Sequence, residues 1–413
     1  MPNCVEVSET TMTNSASPKP VPKMPPPPSV VEPSSVAINS VSSIKMMVKD
    51  AYSKKASDIH IRVGHTPRFR IQGQMTRVKE QVKVTPELFE HYLDEILTPH
   101  QRQQFAETKE LDTAVFYPGL VRCRVNCFDS LTGGAMVLRL IHLQIPSIDE
   151  LGLPQVLKNI IASPQGLILI TGPTGSGKSS TLAAMIRHLN ETAKKHIVTI
   201  EDPIEFVHPS KMCLISQREV GLHTLEFNNA LRAVLREDPD VILIGEMRDR
   251  TTVNTALQAS QTGHLVLGTL HTRNALNAVN RLLNLFNVDE QPTVRIQICD
   301  SLVAVIAQLL VPTIDNKRTA VHDVLVNTPA MRDYLLKGDE ESALQLMESD
   351  TYEGMQVINQ ALFEQVVAGR VTMEEAEKVS PDATDLDRRF RIAGIDSAGI
   401  ARHFKEGKSP FSA

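Results

Sequence analysis

The spacing of apolar positions changes character along the chain. Residues 1–43 carry no periodic pattern: Pro18, Pro20, Pro22, the run Pro25 to Pro28 and Pro33 are interleaved with Ser, Thr and Val. Such a stretch favours polyproline II and buries too little apolar surface to offset its ordering entropy, so a disordered tail is predicted. From residue 44 to 146 the pattern is mixed. Apolar residues recur at helical spacing over Ile44 to Lys54, then alternate as strands over Asp58 to Val63, Arg68 to Ile71, Val121 to Phe128 and Ala135 to Ile141. Thr85-Pro86-Glu87 reads as a helix start, with Thr at the N-cap and Pro at the first helical position.

From Ser147 to residue 327 strands alternate with helices, the pattern of a parallel sheet covered on both faces. Predicted strands are Gly166 to Ile170, Ile197 to Ile200, Val241 to Ile244 and Leu265 to Leu270; predicted helices are Lys178 to Asn190 and Phe227 to Arg236. Thr251 to Gln261, Leu276 to Phe286 and Val294 to Leu310 continue the alternation. Residues 328–393 read as helical, clearest over Met355 to Ala368, with Thr372-x-x-Glu375 as a capping box and Asp385 to Ile392 as a short charged helix. Residues 394–413 read as a flexible end.

Composition narrows the function classes. A length of 413 residues favours several domains. With 43 Lys and Arg against 48 Asp and Glu, there is no basic excess to neutralise a phosphate backbone. Aromatics are 4% and Trp is absent, which removes the stacking platform of single-strand binders. A DNA-translocating motor is therefore disfavoured, and no nucleic-acid partner is expected. No apolar run approaches the roughly 18 residues of a membrane span, and the first thirty residues hold no apolar signal region. The expectation is a cytoplasmic protein without membrane insertion. Cys123 and Cys127 are four apart with no second pair at ligand spacing, so reduced core thiols are expected rather than zinc.

Gly172-Pro173-Thr174-Gly175-Ser176-Gly177-Lys178-Ser179, with Ser180 beside it, matches the P-loop pattern and sits after a buried strand at a helix start. There the glycines let backbone N–H groups wrap a triphosphate, Lys178 reaches the β and γ oxygens, and the Ser179 hydroxyl suits Mg²⁺. ATP and Mg²⁺ are the implied ligands. Asp240 to Ile244 leads into Gly245-Glu246, an apolar strand ending in an acid; Gly245 stands where many P-loop enzymes place a metal-binding Asp, which leaves Glu246 to activate water. Glu201-Asp202-Pro203-Ile204-Glu205 is a second acidic group at a strand end, suited to metal-bound water. His264 and His271 bracket a strand, either as structural residues or as sensors of a γ-phosphate. Arg124, Arg139, Arg232 and Arg236 are anion contacts or salt-bridge partners; Arg232 and Arg236 are one helical turn apart.

Taken together, Gly172 to Ser179, Ile200 to Glu205, Arg236 to Asp240 with Gly245 to Asp249, and Thr262 to His264 through Gly268 to Thr272 resemble the Walker A, Asp box, Walker B and His box of the type II/IV secretion ATPases. Within that superfamily the chain is most similar to the type IV pilus retraction group, PilT and PilU. In this family Gly245 is normal. The resemblance implies an α/β fold: a P-loop RecA-like domain (147–327), a small α+β PAS-like N-terminal domain (44–146) and a helical C-terminal segment. It also implies a homohexamer, or a ring mixed with a PilT paralogue, docked on an inner-membrane pilus platform protein. By the same resemblance Glu246 is the catalytic glutamate, and Glu205 and Glu201 lie near Mg²⁺ and water. His264 and His271 form the His-box pair, Arg124 and Arg139 contact the γ-phosphate from the N-terminal domain, and Arg232 and Arg236 are further arginines. The sequence shows neither the much larger N-terminal region nor the tetracysteine insert of assembly ATPases, which favours retraction. Ala330 to Lys337, Asp385 to Arg389 and Gln261 depart from the PilT pattern, and keep open an accessory, PilU-like subunit that binds ATP without needing its own turnover.

Overall fold

The structure, a computed structural model, describes residues 43–78, 82–141, 144–349 and 353–394. The predicted disordered tail, save Ser43, and the predicted flexible end beyond Gly394 lie outside the described residues.

The first part of the chain builds an antiparallel sheet. Its elements are α1 (Ile44–Ser53), β1 (Ala56–Arg62), β2 (Arg68–Ile71), β3 (Gln74–Arg77), α2 (Pro86–Ile96), α3 (Pro99–Thr108), β4 (Glu110–Tyr117), β5 (Val121–Phe128) and β6 (Ala135–Ile141). The strands run in the order β3-β2-β1-β6-β5-β4. Thr85 caps α2 as its sequence predicts, its hydroxyl accepting from the Leu88 N–H at 3.2 Å. Tyr92 and Leu93 of α2 bury their side chains against Ile59, Phe69, Val125 and Leu138 of the sheet. Each such buried aliphatic or aromatic side chain contributes about 1.5–3 kcal/mol.

The second part holds α4 (Val156–Ile161), β7 (Gly166–Thr171), α5 (Lys178–Thr192), β8 (His196–Glu201), β9 (Leu214–Glu219), α6 (Phe227–Val234), β10 (Val241–Ile244), α7 (Arg250–Gln261), β11 (Leu265–Leu270), α8 (Leu276–Leu283), α9 (Gln291–Ser301), β12 (Leu302–Pro312) and β13 (Arg318–Val326). Its sheet has the order β13-β12-β7-β11-β10-β8-β9, parallel throughout except for the edge strand β13. Every residue of β7, β10 and β11 is buried, because helices cover both faces and leave no solvent side to alternate toward. Leu182, Met185 and Ile186 of α5 cover one face; Leu231 of α6, Val253 and Leu257 of α7 and Leu282 of α8 cover the other.

Helices α10 (Pro329–Lys337) and α11 (Glu340–Ser349) extend the second of these layers. Helices α12 (Ile358–Val367), α13 (Met373–Val379) and α14 (Ala383–Ile392) form a separate apolar cluster over Val311 and Val321 of the β12–β13 hairpin. The two sheets meet through a buried ion pair: Arg122 of β5 donates to Glu219 of β9 at 2.8 Å.

Two elements differ from the sequence expectation in ways that matter below. The segment Val294 to Leu310 is two elements, a helix to Ser301 and then a strand beside the P-loop strand. Helix α6 ends at Val234, so Arg236 lies in the following turn and does not share a helix face with Arg232. Asp238 there takes a positive φ of 52°, which the helix cannot accommodate.

Candidate functional site

At the carboxyl ends of β7, β8, β10 and β11 lies a cleft of about 630 Å³. This is where a parallel α/β sheet places its ligands. Strand β7 delivers the chain into the glycine-rich loop, and α5 starts at Lys178 directly after Gly177, which takes a φ of 90° that a side chain would strain. Thr174, Gly175, Gly177, Lys178, Ser179 and Ser180 line the cleft; Ser176 is buried behind it. The Lys178 ammonium donates to the carbonyls of Gly172 at 2.8 Å and Pro173 at 3.2 Å. Burial lowers its pKa, and the charges of Glu246 and Glu205 oppose that shift.

Glu246 projects from the end of β10. Its Oε2 accepts from Arg248 at 2.6 Å and its Oε1 lies 3.2 Å from His271 Nε2 at the end of β11. The Arg248 guanidinium holds the Glu246 carboxyl below the usual carboxylate range, against the opposing effect of burial, so it is an ionised acceptor at neutral pH. Gly245 has a steric reason to be glycine: a Cβ there would stand 3.0 Å from the Ile200 carbonyl of β8. A side chain at that position would require the β8 backbone, beside which β10 pairs, to give by a few tenths of an ångström.

Glu201 and Glu205 also line the cleft, from the end of β8 and the loop after it. Glu201 is held from beneath, accepting from Thr199 Oγ1 at 2.6 Å and Gln217 Nε2 at 3.1 Å, and burial pushes its carboxyl up in spite of those bonds. Glu205 is exposed at the rim. The intervening loop is anchored by Ile204, whose N–H donates to Glu219 at 3.1 Å, the same carboxylate that Arg122 engages.

The two histidines part company. His271 lies in the cleft, but His264 stands at the opposite end of β11, about 20 Å away along a six-residue strand. Its Nδ1 lies 3.0 Å from the Ala259 carbonyl, so it closes the α7–β11 turn. A sequence motif joins residues that the strand separates.

The arginines do not line the cleft either. Arg124 and Arg139 are direct cross-strand partners on β5 and β6. Arg139 bonds Asp58 at 2.8 Å, while Arg124 comes only within 3.9 Å of Asp112. Burial raises the Asp58 carboxyl, but the bonds from Arg139 and Ser57 outweigh it and leave the group below its ordinary value. Arg232 and Arg236 are exposed, and neither guanidinium meets a carboxylate among the described residues.

Several cleft residues escaped the sequence reading. Arg248 binds Glu246 directly, Asp249 caps α7 by accepting from the Thr252 N–H at 2.9 Å, and Arg318 of β13 lines the far wall. Thr171 and Thr272 tie the P-loop strand to the His271 loop, the Thr272 N–H donating to Thr171 Oγ1 at 2.7 Å. Gln308 of β12 is buried against the P-loop. Arg248 sits two residues from Glu246 and was open to inspection; Gln308 becomes visible only once β12 is known to lie beside β7.

Residues 36–399 match the family described as type II/IV secretion system protein. The chain is 42% identical to the type IV pilus retraction ATPase PilT of Pseudomonas aeruginosa over 334 residues, covering 79% of this chain and 96% of that one. It is 38% identical to the type IV pilus ATPase PilU of the same organism over 367 residues, covering 89% and 95%. A crystal structure of the pilus retraction motor PilT with bound ADP superposes with a TM-score of 0.78 at 40% identity, covering 84% of this chain and 99% of that one. Family match, identity and fold agree with the P-loop cleft: the chain belongs to the type II/IV secretion system protein family, in its PilT and PilU group, and is a nucleotide-binding ATPase.

Proposed function

We propose that this chain is the MgATP-hydrolysing motor of type IV pilus retraction, working as a hexameric ring against a pilus platform protein at the inner membrane. The observation that carries the reading is Glu246: an ionised carboxylate at the end of β10, in the same cleft as Lys178 and Ser179, held in place by Arg248 and His271. Twitching motility is the behaviour such a motor serves.

The residues divide the work by position. Backbone N–H groups of the loop between Thr174 and Ser180 and the Lys178 ammonium hold the phosphates, and their donors point where negative charge accumulates. Glu246 accepts a proton from the attacking water, and His271 orients the Glu246 carboxylate. Ser179, Glu201 and Glu205 supply oxygen atoms to one wall of the cleft, a hard donor set that fits Mg²⁺. Among the described residues no three His, Cys, Asp or Glu side chains form a metal cage on their own. The ion would therefore take its remaining ligands from phosphate and water, and it would neutralise charge on the departing phosphate.

Arg124 and Arg139 act on a neighbouring subunit's nucleotide. Their placement supports this: the two are cross-strand partners outside their own subunit's cleft, and while Asp58 engages Arg139, the Arg124 charge comes only within 3.9 Å of Asp112 and is left for an incoming anion. Arg232 and Arg236, unpaired at the surface, serve as further contacts across the ring. The greater identity to PilT than to PilU supports an autonomous motor over an accessory subunit. Among the described residues no helix is long and apolar enough to cross a membrane. The direct test is complementation of a strain lacking its retraction ATPase. The chain should restore twitching and its Lys178→Ala variant should not; equal motility with both would overturn the reading.

A further inference from the structure

We propose that Gln308, on β12, is a positioning residue that sets the phosphate-binding conformation of the P-loop by holding one peptide bond of it. This inference rests on the reading of Gly172 to Ser180 as the nucleotide site and adds a residue from outside every motif of that site.

The side chain of Gln308 is 2% exposed and uses both ends of its amide. Nε2 donates to the Ser176 carbonyl at 2.7 Å, and Oε1 accepts from Thr181 Oγ1, in the first turn of α5, at 2.6 Å. The Ser176 bond settles which end of the amide is which, because a carbonyl can only accept, and the Thr181 hydroxyl then donates to the remaining oxygen. The contact is built on both sides. A Cβ at Gly177 would stand 2.8 Å from Gln308 Nε2, and one at Gly172 would stand 2.3 Å from the Gln308 carbonyl oxygen. Gly172 is thus required by the approach of the β12 backbone, whereas at Gly177 the atom met is the end of the Gln308 side chain itself.

The consequence follows from peptide geometry. In a planar trans peptide the carbonyl and the following N–H point in opposite directions. Fixing the Ser176 carbonyl toward Gln308 therefore aims the Gly177 N–H away from β12. Gly177 lines the cleft, and its N–H meets no acceptor among the described residues. That N–H is left free for a phosphate oxygen. Without Gln308, this peptide is free to rotate, since Gly177 accepts either sign of φ at little cost. The loop would then have to be ordered at the expense of binding.

The test is calorimetric titration of the full-length protein with ADP and, separately, with pyrophosphate. The variants are Gln308→Met, which removes both bonds at similar volume, and Gln308→Glu, which keeps the acceptor for Thr181 but loses the donor. Both should weaken ADP and pyrophosphate by a common factor of about five to ten, the size of one ordering hydrogen bond. KM for ATP should rise by a similar factor while kcat changes less than about twofold, because the loop is correctly formed once substrate is bound. Folded variants that bind both ligands as the wild type does would overturn the inference, as would a loss confined to kcat. If the Gln308 variants do not fold, Thr181→Val, which frees only the amide oxygen, should weaken both ligands about two- to threefold; unchanged binding by that folded variant would overturn the inference equally. Lys178→Ala separates the two levels of the argument: if it leaves ADP binding intact, the P-loop reading itself is wrong and this inference falls with it.

Discussion

Arg248 donates to Glu246 Oε2 at 2.6 Å, closing an ion pair between residues two apart at the mouth of the P-loop cleft. The pair lowers the carboxylate's pKa, so the base is ionised at pH values where a free glutamate is partly protonated. The acid limb of the kcat profile should accordingly lie below the ordinary glutamate value. Arg248→Ala removes the lowering and should move that limb upward, with activity lost at a higher pH as acid is added. An unmoved limb in an active variant would mean that Glu246 is not the titrating base.

Arg124 should matter for turnover and not for holding nucleotide. It lies outside its own subunit's cleft, and its nearest carboxylate is 3.9 Å away, so its removal leaves the local fold intact. For Arg124→Ala we expect hydrolysis by the assembled protein to fall by about 10³-fold or more, the scale of an arginine finger, with ADP affinity unchanged. Mixing this variant with Glu246→Gln should recover part of the activity, because each supplies what the other lacks at alternate interfaces. No recovery in rings shown to be mixed would contradict action across the interface.

Arg122 couples the two sheets, and Glu219 passes the contact on to the Ile204 N–H in the loop between Glu201 and Glu205. Both charged side chains are 7% exposed. Removing one partner of a buried pair strands the other, at a cost of about 3–5 kcal/mol. Arg122→Ala should therefore lower stability toward urea by that amount, and a companion Arg122→Ala/Glu219→Gln variant should regain part of it. A single variant as stable as the wild type would show that the pair is not a structural tie.

Cys123 and Cys127 should be silent in the folded state. Burial pushes the Cys123 and Cys127 thiols up to about 12, and neither is paired. Iodoacetamide at neutral pH should label them only after denaturation, since the thiolate is the reactive form. Rapid native labelling of either would mean that β5 opens far more readily than the complete burial of these two residues suggests.

Much of the cleft was legible because its chemistry is local in sequence. The P-loop, Glu246 and the acids after β8 each follow a strongly apolar run, and the strands β5, β6, β10 and β11 lie where the pattern puts them. What was missed has a physical reason in each case. Helix α3 buries none of its side chains and α-helical spacing is therefore unmarked in Pro99–Thr108. Edge strand β9 is polar along much of its length, since only its pairing with β8 fixes it. Strand β12 is covered on both faces, so its apolar residues run on from α9 without the alternation that would separate strand from helix. His264 and Arg236 show the converse limit: proximity in a motif does not survive a six-residue strand or a helix that stops two residues short.

The central claim is that Glu246 activates water in a nucleotide cleft, and steady-state ATP hydrolysis by the purified assembly beside its Glu246→Gln variant tests it most directly. The account predicts clear wild-type turnover and a loss of at least about 10²-fold in the variant, with ADP binding retained. Equal turnover by an intact Glu246→Gln assembly would contradict it.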